Sequence, residues 1–583
     1  FQNPVHHSIK TCLTEWCYPF SGFWQHSYAD YATAIDQPLV QRLIPRHRLQ
    51  KKHPEKAKSE AIEPIIYFLD AGVPEPVRSA LLDGARWWNE AFEAAGFINA
   101  YQVKMLPSDA DPMDVRYNVI QWVHRATRGW SYGSSVIDPR TGEIIKGHVT
   151  LGSLRVRQDY LIALGLTSPF SSENTDTSAM KEMALARIRQ LSAHEVGHTL
   201  GIAHNFAASV NDRASVMDYP HPYVTLKNGS ISLENAYGVG IGEWDKHVVA
   251  YGYADVPKSE EAEYLKATVA KARATGLLYV SDPDARPRSG AHNTGHLWDN
   301  GNDATEELLR VLKVREHALA NMGENSIPFG TPYSELEQVL VPIYNFHRFQ
   351  VEAAVKLLAG VDYRYAIKGE DQAVAEAVDG KAQQKALTAL LKTLSTETLT
   401  MPAHIVALIP PKAYGYSRDR ESFVGKTGLT FDPISAASAS AKHTLSLLLD
   451  VGRLARLAQQ SADNNDIPSV NDVLVALVNA TVEQSVKQGH ARLVQQRVNQ
   501  QLIGHLLNLW HAKQTAIEVR AEVYATLTEL KKWLTENKSK KRYRGLSAHF
   551  NLLAAQIDYG LTHDKQMLPE SNVKLPPGSP IGG

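Results

Sequence analysis

The hydrophobic rhythm of the chain changes twice. Up to about residue 60 no period is sustained: Trp16, Tyr18, Phe20, Phe23 and Trp24 crowd the start, and a basic stretch runs from Arg46 to Lys58. Extended or irregular backbone leaning on another surface is expected there, with the charges solvated. From residue 61 short apolar runs take over. Pro64-Ile65-Ile66-Tyr67-Phe68-Leu69 reads as a buried strand. Val77, Ala80, Leu81, Trp88, Ala91, Phe92 and Ala95 recur at three-and-four spacing, which predicts an amphipathic helix stopped by Gly96. Strands are predicted over 101–106, 115–123, 134–137 and 143–151, the last two joined by the turn Asp138-Pro139-Arg140-Thr141-Gly142. A long helix over 179–200 ends at Gly201, and a shorter one covers 243–251. A strand, a helix and then several strands predict a mixed α/β (α+β) unit with a twisted sheet.

Beyond residue 256 helical spacing dominates. The segments 303–322, 333–359, 371–397, 435–460, 467–487 and 490–536 are rich in Ala, Leu, Gln, Lys and Glu. The expected organisation is an irregular N-terminal segment (1–60), an α/β unit (61–256), a large mainly α-helical domain (257–567) and a Pro/Gly-rich tail (568–583). No fixed-period repeat is present.

Composition narrows the function classes. With 61 Lys plus Arg against 62 Asp plus Glu, the chain lacks the positive surplus that a general nucleic-acid partner requires. Its two cysteines, Cys12 and Cys17, can close a small loop or stay reduced, so hydrophobic burial must hold the fold. No apolar run is long enough to predict a transmembrane segment. The chain begins at Phe1 without a basic-then-apolar leader and reads as a processed product or a fragment.

The candidate chemistry lies in His194-Glu195-Val196-Gly197-His198-Thr199-Leu200-Gly201-Ile202-Ala203-His204-Asn205. Two histidines four apart on a helix share one face and can reach one ion, with Glu195 beside them but not a ligand. Gly201 allows the chain to leave the helix in a left-handed turn and deliver His204 as a third ligand. Three histidines leave the fourth tetrahedral position of one Zn2+ ion open, as a catalytic rather than a structural site requires.

The long zinc motif followed by Ser215-Val216-Met217-Asp218-Tyr219-Pro220 resembles the metzincin clan of zinc metallopeptidases. The resemblance implies that Met217 forms an apolar floor beneath the histidines. It also implies that Tyr219 ligates the zinc or steadies the transition state, and that Glu195 is the general base toward a zinc-bound water. The closing helix of the clan is matched by Glu243–Tyr253, with Asp245 anchoring the Met-turn. The clan also places an edge strand above the zinc, and Gly147, His148, Val149, Thr150 and Leu151, in the last strand-like run before the active-site helix, are the candidates to bind an extended substrate. Asn205, expected to support the site, departs from the Ser, Pro, Asp or Glu that follows the third histidine in the familiar groups. With the helical region, this makes the chain similar to large bacterial exported metzincin-like metalloproteases, which generally carry a further N-terminal region that is not expected within this sequence. The implied activity is endopeptidase cleavage of polypeptides, with periplasmic or secreted location. A zinc hydrolase of a non-peptide acyl substrate, or a binding scaffold with a vestigial site, are the alternatives.

Other signals are set aside. Val424-Gly425-Lys426-Thr427 lacks the earlier glycine of a phosphate loop, Arg420 standing there. His292 and His296 lie among Ser, Gly and Asn and are expected at the surface, and the basic run from Lys538 to Arg544 is expected to be a solvated face.

Overall fold

The computed structural model describes residues 19–125, 129–370, 372–568 and 573–576, and the backbone of 11–12. The pairing of Cys12 and Cys17 and most of the 568–583 tail fall outside the described residues. In chain order the elements around the site are β1 (Ile65–Leu69), α1 (Val77–Arg86), α2 (Trp88–Ala94), β2 (Tyr101–Met105), β3 (Asn118–Val123), β4 (Tyr132–Ile137), β5 (Ile144–Gly152), α3 (Leu154–Thr167), α4 (Ser178–Thr199), α5 (Glu243–Tyr253), α6 (Glu261–Ala274) and α7 (Asp282–Ala285). The strands form one mixed sheet in the order β2-β1-β3-β5-β4. The first four in that order run parallel, and β4 is antiparallel to β5, with a register shift between Ile144 and Lys146.

Ile65, Tyr67 and Leu69 of β1 are buried, so the strand presents an apolar face to the helices. The helix expected over 77–95 is two helices. The chain tightens at Trp87, whose N–H bonds back to Gly84 O, and Trp88 turns inward to donate from Nε1 to Ala193 O of α4 at 2.7 Å. Sequence spacing gives no sign of α3. It packs between α4 and the helix Leu336–Tyr344 and buries Arg155 and Asp159 among its apolar residues, so no clean stripe is left for a period to reveal.

Sheet, α1, α2, α4 and α5 share a core with Phe20, Phe23, Ile44 and Leu49 from the irregular N-terminal stretch, and with Val269, Ala272 and Tyr279 from beyond α5. A second core joins α3 to Ala304–Asn321 and Leu336–Tyr344. A third fills the helical remainder, where Pro433–Leu448, Val470–Ala480, Gly489–His511, Ile517–Asn537 and Ser547–Thr562 pack Leu and Val together. The fold is a mixed α/β layer followed by a large helical region.

Two further expectations are corrected. Gly147, His148, Val149, Thr150 and Leu151 are not at the rim: β5 is an interior strand, bonded to β3 on one side and β4 on the other. The turn at 138–142 folds the earlier strand, β4, outward, so sequence order and spatial order differ. Their burial agrees, β5 being almost continuously buried while β4 alternates exposed and half-buried. His292 and His296 are buried, not exposed; their Nε2 atoms meet Tyr363 O (2.8 Å) and Asn293 O (2.9 Å). Residues 361–363, which bridge to His292, cover that loop.

Candidate metal centre

His194 and His198 project from the last two turns of α4. That helix ends in a paired closure: Gly201 N–H donates to His198 O and Ile202 N–H to Gly197 O, both at 3.0 Å. Gly201 sits at φ +90°, and a Cβ there would lie 1.9 Å from Pro45 O. Both the turn and the approach of Pro45 therefore require glycine. The bend returns His204 toward the helix. The Nε2 atoms of His194 and His204 lie 3.2 and 3.1 Å from Nε2 of His198.

Each Nδ1 faces an acceptor: Val216 O for His194 (2.8 Å), Ile202 O for His198 (2.9 Å) and an Asp282 carboxylate oxygen for His204 (2.8 Å). Those contacts assign the ring proton to Nδ1 in all three, so three Nε2 lone pairs converge with no proton between them. Such an array is repulsive unless a cation fills it. A tetrahedral zinc at roughly 2.0–2.1 Å from each nitrogen sets them about 3.3 Å apart, close to what is found. Burial and mutual proximity hold His194 and His198 below the ordinary imidazole range, which keeps them neutral donors. The donor set fits zinc, and no fourth His, Cys, Asp or Glu joins the cluster among the described residues.

Glu195 is fully buried, and burial pushes its carboxyl up to about 8 against the pull of Arg187, Arg155 and the Gly133 N–H. Beyond the Gly133 N–H, no donor is directed at either carboxylate oxygen. Met217 is fully buried against α4, its Sδ 2.2 Å from where a Cβ on Gly197, between the two helical histidines, would fall. The Met-turn is held by Asp245 of α5, which accepts from Ser215 Oγ (2.6 Å) and from the Val216 and Gly242 N–H groups (2.9 Å each). The Tyr219 ring lies 5.3 Å from His194 and 4.9 Å from His204, and its hydroxyl accepts from Arg286 Nη2 at 3.1 Å. Asn205 is a clamp within the protein. It donates to Leu278 O and accepts from Val280 N–H, tying the chain beyond α6 to the site.

Sequence reasoning missed the residues that reach the site from elsewhere. Asp282 opens α7 and Arg286 follows its last residue, while Trp24 sits 5.8 Å from His198 and 6.1 Å from His204, half-exposed at the rim. Trp24 is placed by a short antiparallel bridge between Phe23 and Ile202. A local pattern marks neither Asp282 nor Trp24, although Ser281-Asp282-Pro283 does signal a helix start.

A mixed sheet, an active-site helix ending in a glycine bend, three converging imidazoles and a methionine turn below them define the class: a zinc metallopeptidase of the metzincin clan. A family model described as Met-zincin matches residues 176–489, more than half of the chain, and the chain belongs to that family. No curated protein and no solved structure matches it.

Proposed function

We propose that the chain is an endopeptidase that holds one zinc ion on His194, His198 and His204 and hydrolyses peptide bonds of extended polypeptides. The observation that carries this reading is the convergence of three Nδ1-protonated imidazoles beside a buried carboxylate. The cation, when bound, supplies Lewis acidity at the scissile carbonyl. Glu195, whose ionised form an adjacent cation would favour over the neutral one, accepts the proton of the attacking water at its carboxylate and delivers it to the leaving amine nitrogen. In this reading the Tyr219 hydroxyl, which accepts from Arg286, donates to the developing oxyanion.

Substrate is expected to add to β4. Its outer edge is unpaired among the described residues, and Gly133 of β4 packs against the Glu195 carbonyl while Ser135 Oγ donates to Thr199 O at 3.2 Å. A peptide bonded along that edge would lie next to Glu195 and His198. Resemblance to exported bacterial metalloproteases supports a periplasmic or secreted setting; among the described residues no helix is long and apolar enough to cross a membrane.

The test is digestion of unfolded casein with and without a zinc chelator. Fragments that vanish with chelator and return with added zinc support the proposal. Intact casein in the presence of confirmed bound zinc turns the reading toward a non-peptide acyl substrate or a scaffold.

A further inference from the structure

His194 and His198 are held by α4 and bond their Nδ1 atoms to nearby carbonyls. His204 differs. It follows the glycine bend in irregular chain, and its Nδ1 bonds to a carboxylate 78 residues further on. Resting on the metal-site reading above, we infer that Asp282 is a positioning residue of the zinc centre, a charged brace that fixes the tautomer and direction of the third ligand.

The brace is itself fixed on every side. One Asp282 oxygen accepts from His204 Nδ1 (2.8 Å) and Ser281 Oγ (3.3 Å), while the other accepts from Arg286 Nε. Arg286 extends onward to the Tyr219 hydroxyl (3.1 Å), so one chain of bonds joins third ligand, carboxylate, guanidinium and phenol. The flanking backbone is docked on the metal loop, with Phe206 N–H donating to Val280 O at 2.7 Å, and α7 is held from the helical region by Lys356 Nζ on Ala285 O at 2.6 Å. The Asp282 side chain is 23% exposed and that of His204 5%, so the pair is largely sheltered from water. An anionic acceptor raises the basicity of the opposite ring nitrogen more than a carbonyl does, and so strengthens the weakest-anchored ligand. The consequence is that chain beyond α5 completes the metal centre.

The experiment is zinc competition against a chromophoric chelator on the full chain, comparing wild type, Asp282→Ala, Asp282→Asn, His204→Ala and the His204→Ala/Asp282→Ala double variant. Asp282→Ala should raise the zinc dissociation constant on the order of 10–100-fold with unchanged far-UV circular dichroism. Asp282→Asn, which keeps an acceptor oxygen but not the charge, should lose several-fold. In the His204→Ala background the Asp282 change should add less than about twofold, because its effect passes through the imidazole. Wild-type affinity in Asp282→Ala, or an equal loss in both backgrounds, overturns the inference. If Asp282→Ala does not fold, Asp282→Asn decides, wild-type affinity there being the contrary result. A wild-type chain that takes up no zinc overturns the metal-site reading itself.

Discussion

Replacing Gly201 by alanine should cost the protein its zinc. The residue sits at φ +90°, and an added Cβ would fall 1.9 Å from Pro45 O and 3.0 Å from Pro45 C, against 3.4 Å or more in ordinary contact. The left-handed backbone alone costs about 1–2 kcal/mol once a Cβ is present. The overlap adds to this, since backbone rather than a side-chain tip must move by more than an ångström. Relief can come from the 44–46 segment or from the bend, and the bend carries His204. The conformational term bears on folding, as a factor of about 5–30 in that equilibrium constant; the overlap displaces the bend and should lower zinc affinity on the order of tenfold or more. Gly229→Ala is the control: it sits at φ +78° in an exposed hairpin turn with nothing within 4 Å of where its Cβ would lie, so it carries backbone strain without overlap. Chelator competition on the two purified variants separates the effects. Equal zinc affinity in Gly201→Ala and Gly229→Ala would refute the argument that this bend delivers the third ligand.

Glu195→Gln should keep zinc at wild-type stoichiometry and lower kcat by a factor on the order of 10²–10⁴, measured on a quenched fluorescent peptide; wild-type turnover would remove Glu195 from the proton path. Gly133→Val should impair cleavage with zinc retained, because a Cβ there would lie 2.1 Å from Glu195 O and 3.0 Å from His198 Cβ and push β4 off α4; unchanged kcat/KM would exclude β4 from substrate binding. Acid should unfold the chain between pH 6.5 and 4. Burial lowers His47, His247 and His549 from the ordinary 6.5 to about 4, and His221 to about 3. These folded-state values lie below the unfolded one, so the stabilisation is complete above pH 6.5 and is lost as pH falls toward 4. A shift of this size corresponds to about 3 kcal/mol for one histidine. Circular dichroism across that range checks it, and unaltered thermal stability down to pH 4 would contradict the burial.

The legible parts of this protein are those written in local sequence. The strands β1, β2 and β3, the helix carrying His194 and His198, and the bend at Gly201 follow from period, spacing and one residue type each. The anchoring of the Met-turn by Asp245 follows from the resemblance to the clan, not from period or spacing; its three donors come together only in the fold. What stays hidden depends on contacts distant in sequence. Period cannot tell that the hairpin at 138–142 turns β4 outward, which is why residues 147–151 read as a rim strand. Polar and apolar residues are not segregated on α3, where Arg155 and Asp159 are buried beside Ile162 and Leu166, so no stripe marks it. The burial of His292 and His296 depends on residues 361–363 folding over them. Asp282 lies 78 residues from its imidazole, and nothing in the intervening sequence announces the pairing.

The central claim is that three imidazoles bind one zinc through Nε2 and leave it a position for chemistry. X-ray absorption at the zinc edge on the purified chain measures this directly. The account predicts one zinc per chain, with three imidazole nitrogens at roughly 2.0–2.1 Å and one light solvent atom. A chain without stoichiometric zinc, or a zinc closed by four protein ligands, would contradict it.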